Sequence, residues 1–138
     1  MIYTVKSEGK KYAYDSASGA VLALNNLQYK MMGAIVPPIS PASLTSLRYE
    51  LAKFDSNDIS DAFDAIYELA QAGILYAEDD GVIRLMASGE YACPSETVAS
   101  ALLTKAFEGK SEATFVTVDG DFSATAKKAA EATGTKLS

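Results

Sequence analysis

Residues 57–76 read NDISDAFDAIYELAQAGILY, the longest uninterrupted helical pattern in the chain. Ile59, Phe63, Ile66, Ala70 and then Ile74 recur at the three- and four-residue spacing of one helix face, and Ala62 and Leu69 widen it. Asp58, Asp61 and Asp64 fall early, where the positive end of the helix dipole favours carboxylates. Ser56 or Asn57 supplies the cap. Gly73 ends the helix, because glycine tolerates the left-handed backbone found just past a C-terminus. Ile74, Leu75 and Tyr76 then leave as a short extended run. An amphipathic helix draws most of its stability from packing, so it needs a partner surface.

The preceding segments supply one. Ile2–Val5, Lys11–Tyr14 and Ala20–Leu24 read as short strands, separated by the turns Ser7–Lys10 and Asp15–Gly19, and make an antiparallel meander. Asn25 caps a helix over Leu27–Ile35. The run Val36-Pro37-Pro38-Ile39-Ser40-Pro41 breaks it, since proline fixes φ and restricts the residue before it. Ser43–Lys53 is a second helix, with Leu44, Leu47 and Leu51 on one side and Ser40 or Ser43 as its cap. The order β-β-β-α-α-α predicts an α+β, winged-helix-like unit over residues 1–80: a three-stranded antiparallel sheet followed by three helices packed on one face. Its second and third helices resemble a helix-turn-helix.

Beyond it, Glu78–Gly81 is a charged turn and Val82–Leu85 a short strand. Residues 81–94 read as a linker, because Met86–Pro94 has no period. Ser95 caps a helix over Glu96–Glu108, Ala113–Val118 is a strand and Asp119-Gly120-Asp121 a turn. Ser123 caps a helix that Gly134 stops, and Thr135–Leu137 is a last strand. Residues 95–138 therefore form a small α/β appendage, α-β-α-β, of the kind found inside larger α/β folds.

Composition narrows function. The chain has 138 residues, 49% of them hydrophobic, and a net charge of -6. Residues 1–80 hold six Lys/Arg and eleven Asp/Glu, net -5; residues 81–138 hold six and seven, net -1. Binding to a phosphate backbone rests on Lys and Arg, so nucleic acid is a poor partner and a basic one suits the front portion. With no His and one Cys, Cys93, the chain lacks Ser-His-Asp and Cys-His chemistry, an internal disulfide and most zinc sites. No apolar run is long enough for a membrane span, and MIYTVKSEG lacks a signal-peptide pattern. A reduced, cytoplasmic protein without cofactor is expected.

Candidate chemistry is sparse. Asp58, Asp61 and Asp64 could be a metal or acid site, but no second ligand cluster accompanies them and the helix dipole accounts for them. Asp119-Gly120-Asp121 reads as a turn. Glu108-Gly109-Lys110 has the Glu-x-Lys spacing of metal-dependent nucleases but lies at a helix end. Nothing near Cys93 would activate its thiol. The remaining candidate is a surface. If Ala20–Leu24 lies at the sheet edge, its backbone can accept a further strand, with Asp64, Tyr67, Glu68 and Gln71 flanking the groove.

The strings KYAYDSASGAVLALNNLQYKMMGAI, LTSLRYELAKF and DISDAFDAIYELAQAGILYAEDD carry a family likeness. Residues 1–80 resemble a RiPP recognition element, the PqqD-like domain, in the version at the N-terminus of six-cysteine (SCIFF) radical SAM peptide maturases. The carrying features are Tyr14-Asp15-x-x-Ser18-Gly19-Ala20-Val21, the helix from Leu27, and E-L-x-x-x-G-I-L-Y over Glu68–Tyr76. The resemblance implies that a precursor peptide's leader binds as a strand beside the third strand, at Val21, Leu22, Ala23 and Leu24, opposite Asp64, Tyr67, Glu68 and Gln71. It also implies a radical SAM maturase as partner. The CxxxCxxC motif of that enzyme is absent here, so the chain reads as non-catalytic: a stand-alone recognition protein or a remnant of a larger maturase. FVTVDGDFSATAKKAAEATG is loosely similar to one βα unit of such a barrel or to the closing unit of Mrr-like nucleases. The rival reading is a winged-helix DNA-binding regulator, disfavoured because residues 55–81 hold no Lys or Arg.

Overall fold

Alternation along the first three strands sorts their side chains onto two faces, and both faces are covered. The computed structural model describes residues 1–138. Strands β1 (Ile2–Ser7), β2 (Lys10–Asp15) and β3 (Val21–Leu24) form an antiparallel meander in the order β1-β2-β3. Tyr3 lies opposite Tyr14, and Ala13 opposite Leu22. Ile2, Ala13, Leu22 and Leu24 therefore share one face and pack against Met31, Leu47, Ile59, Phe63 and Ile66. Those residues come from three helices, α1 (Asn26–Ala34), α2 (Ser43–Glu50) and α3 (Ser56–Gln71). The α+β reading of the sequence holds: the antiparallel sheet is followed by helices, and a small parallel sheet closes the chain.

The helix ends show local physics at work. Asn25 caps α1 by accepting from the Gln28 N–H, while the Gln28 side chain returns a bond to the Asn25 N–H. Asp55, not Ser56 or Asn57, caps α3. Its carboxylate accepts from the N–H groups of Asn57 and Asp58 at 2.8 and 3.2 Å, adding a negative charge to the dipole effect. No side chain caps α2; the Ser43 hydroxyl instead accepts from the Ser40 N–H at 3.2 Å. Likewise Phe122, without a side-chain bond, precedes the last helix where Ser123 is expected as cap. Gly73 takes φ +74 beyond α3. The residues after it are bent and not extended: Leu75 turns into the core and Tyr76 itself has φ +53.

The second half contains β4 (Val82–Met86), α4 (Glu96–Phe107), β5 (Glu112–Val118), α5 (Ser123–Thr133) and β6 (Lys136–Leu137). The strands are parallel in the order β4-β5-β6, as their helical connections require. Ile83, Leu85, Ala113 and Leu137 turn to α4 and α5. Strand β4 lies within the stretch that reads as a linker, and it is held on both sides. Besides β5, the Arg84 and Met86 N–H groups donate to the carbonyls of Ser16 and Gly19 at 2.8 and 2.9 Å.

The short strand read at Val82–Leu85 is present as β4; its pairing with the 16–19 turn is non-local and has no local signal in the sequence. Tyr12, Tyr14 and Val21, on the second face of the first sheet, share one core with Val98, Leu102, Leu103 and Phe107 of α4. No helix is long and apolar enough to cross a membrane.

Candidate functional site

The outer edge of β3 is open, but only in part. The Asp15 N–H donates to the Ala20 carbonyl, which makes that a hydrogen-bonded pair and sets the parity of the ladder. Leu22 and Leu24 then bond inward to β2, while Val21 and Ala23 turn their backbone groups outward. The Val21 N–H is already taken by the Tyr91 carbonyl at 2.8 Å. Ala23 is exposed, and its N–H and C=O remain for another strand.

Past the end of β3 lies a groove of about 410 Å³. Asn25, Leu27, Gln28 and Phe54 line one side; Asp58, Asp61, Ala62 and Ala65 of α3 line the other. The residues expected opposite β3 are elsewhere. At 100° per residue, Tyr67 and Gln71 lie well round α3 from Asp58, Asp61 and Ala65, whereas Glu68 falls within about 20° of Asp61 and Asp64 within about 60° of it. Tyr67 stacks on Phe63, with ring centroids 5.7 Å apart. With Gln71 it lines a different groove of about 520 Å³, against Pro37, Pro38, Ile39 and Tyr76. Asp64 and Glu68 are exposed and line neither groove. The groove past the end of β3 thus holds Asp58 and Asp61 and none of the four residues expected there. Positions 58, 61, 62, 65 and 69 form a stripe adjoining the core stripe, but in the sequence alone it reads as a solvated face.

The Tyr14–Gly19 turn points inward. The Tyr14 hydroxyl donates to the Arg84 carbonyl. Burial, followed by the neighbouring Tyr3, Asp15 and Cys93, pushes its pKa far up. The fully buried Asp15 carboxylate accepts from the Ala17 and Ala77 N–H groups at 2.8 and 2.9 Å. Ser18 donates to the Ile74 carbonyl at 2.7 Å. These residues join the sheet to β4 and to the chain leaving α3, and they do not reach the groove.

The other candidates resolve into structural roles. No three His, Cys, Asp or Glu side chains converge in a metal-binding geometry. Asp121 accepts from the Ser123 N–H at 2.8 Å, and hydrogen bonds with Ser123 hold its carboxyl below the usual range. Cys93 is buried, burial raises its pKa, and its thiol donates to the Ser95 carbonyl at 3.3 Å. Glu108 and Lys110 sit at the end of α4. Helix α3 and the chain that follows it to residue 81 carry no cation, where a DNA-reading helix needs them. No protein-family model matches the chain, and no curated protein matches it.

Proposed function

We propose that this protein binds the leader of a ribosomally made precursor peptide as an added strand beside β3 and presents it to a separate radical SAM maturase. It carries out no chemistry itself. The observation that supports this reading is the outward backbone pair of Ala23 at an open edge, with a groove past the end of β3 whose α3 wall carries Asp58 and Asp61. Backbone pairing favours an extended ligand. Leu27, Phe54, Ala62 and Ala65 offer it apolar contact, and the aspartates favour a leader with Lys or Arg where it crosses α3.

The test uses the full chain, labelled for NMR and titrated with leader peptides encoded beside its gene. Micromolar binding is expected, with amide shifts at Ala23 and along Asp58–Ala65. Ala23→Pro removes an outward N–H while sparing the ladder to β2, and should abolish those shifts. A folded chain that binds no such peptide, or binds it equally well as Ala23→Pro, would sink the reading.

A further inference from the structure

Lysines gather where the first hairpin meets α1, in a chain whose net charge is -6. Residues 1–54 hold six Lys/Arg and three Asp/Glu, whereas residues 55–80 hold eight Asp/Glu and no cation. Lys6 lies directly opposite Lys11 in the ladder of β1 and β2. The Ser16 N–H donates to the Met1 carbonyl, which makes that a hydrogen-bonded pair. By alternation Lys6 and Lys11 form a non-hydrogen-bonded pair, the kind that brings side chains closest. Like charges directly opposite each other destabilise a sheet. Both ammonium groups turn to one ring, with Lys6 Nζ 5.3 Å and Lys11 Nζ 5.7 Å from the centroid of Tyr29 in α1. Lys11 Nζ also donates to the Asn26 side-chain oxygen at 3.1 Å. One residue beyond Tyr29, Lys30 Nζ lies 5.5 Å from the centroid of Phe54.

No carboxylate neutralises this cluster. The two ion pairs of the structure join Met1 to Asp15 and Arg84 to Asp80. Lys6, Lys10 and Lys30 are exposed. Tyr29 and Asn26 hold two ammonium groups in place but bring no negative charge, and each ammonium keeps N–H donors to spare. The group that fits them carries negative charge on oxygen, as a carboxylate does. The cluster is also bounded. Glu8 sits in the hairpin turn, and Asp58 and Asp61 share a groove with Phe54. A nucleic-acid backbone carries closely and regularly spaced charges and would run onto these carboxylates. A polypeptide with two or three acidic residues has no such obligatory length.

We propose that the lysine cluster around Tyr29 is a docking site for an acidic segment of a partner protein, whose Asp or Glu carboxylates bridge Lys6 and Lys11 and reach Lys30. The site stands on charge complementarity alone and does not use the backbone edge of β3.

The test is an NMR titration of the full chain, at low salt, with a blocked six-residue peptide of alternating glutamate and glycine. The same peptide with glutamine for glutamate is the control, and a six-nucleotide single-stranded DNA is the rival ligand. Saturable shifts are expected at Lys6, Lys11, Asn26, Tyr29 and Lys30 with the glutamate peptide only, and they should fade as salt is raised. The double variant Lys6→Gln with Lys11→Gln should keep the remaining spectrum and weaken binding about threefold to tenfold, as the loss of two exposed ion pairs implies. Absence of saturable shifts, shifts centred elsewhere or undiminished affinity in the double variant would each overturn the proposal. Tighter binding of the DNA would do so too, as would self-association of the free chain that the double variant abolishes, since a second copy would then own the site. None of these results bears on leader binding at β3, which is read at Ala23 and Asp58–Ala65.

Discussion

Two glycines show how far a residue's effect depends on what surrounds it. Gly19 has φ +87, and a Cβ there would lie 3.1 Å from the Leu85 nitrogen and 3.2 Å from the Arg84 carbonyl carbon. Both are backbone atoms of β4 and cannot swing aside. Gly19→Ala should destabilise the fold by about 1–3 kcal/mol through strain and displacement of β4. Gly33 sits in a helix with open space around it. Gly33→Ala should stabilise by up to about 1 kcal/mol, because alanine loses less backbone entropy. Urea unfolding of the two variants reads both, and shifts of the same sign would refute the argument. Arg84 supplies a pH counterpart. It binds the Asp80 carboxylate at 2.7 Å and the Ala17 carbonyl at 2.8 Å. Its hydrogen bond, then that of the Val82 N–H, holds the Asp80 pKa down at about 2. A depressed carboxylate stabilises above its unfolded value and loses that contribution as pH falls through the folded one. The Asp80 side chain should therefore titrate near 2 by NMR, and return toward the ordinary carboxylate range in Arg84→Gln; an unchanged midpoint would show that Arg84 is not the cause.

At the scale of elements, α3 decides which side chains can meet a peptide beside β3. Asp61 and Asp64 are three residues apart, yet only Asp61 lines the groove beyond β3. Asp61→Lys should weaken leader binding roughly twofold to fivefold, in keeping with the 0.2–1 kcal/mol of an exposed ion pair, and Asp64→Lys should leave it unchanged. Equal effects in anisotropy titrations would mean the charge acts at long range and not in the groove. This contrast also marks what the sequence could tell. The core stripe of α3 was plain from Ile59, Phe63 and Ile66, because burial selects apolar residues at a fixed period. The groove stripe was not, since Asp58, Asp61 and Ala65 look like any solvated face until β3 and α1 are placed beside them. Asn25 announced its cap through Gln28 three residues on. Asp55, Ser56 and Asn57 are all good capping residues, and only backbone geometry separates them. Strand β4 was visible as a short apolar run; its partners, the 16–19 turn and β5, lie far off in sequence and left no local trace.

For the whole molecule, the consequence lies in the first sheet, which has two faces and one fold to bury them. One face is covered by α1, α2 and α3, the other by α4 together with β4. Tyr14 is completely buried on that second face, and its hydroxyl reaches the Arg84 carbonyl across it. The buried Tyr12 and Val21 also depend on residues beyond 81 for cover. A fragment cut at residue 80 would expose these side chains. Each buried large side chain is worth about 1.5–3 kcal/mol, a large share of the 5–15 kcal/mol that holds a domain together. The fragment would also lose β4, whose Arg84 and Met86 N–H groups donate to the Ser16 and Gly19 carbonyls, and only water would replace those donors. The full chain should accordingly unfold in one transition, with the methyl signals of Ile59 and Leu102 in NMR disappearing at the same urea concentration. The 1–80 fragment should show collapsed amide dispersion and no sharp transition. If the fragment instead unfolds cooperatively, with a spectrum that overlays residues 1–80 of the full chain, the two halves are independent units, and α4 merely rests on a sheet that is stable without it.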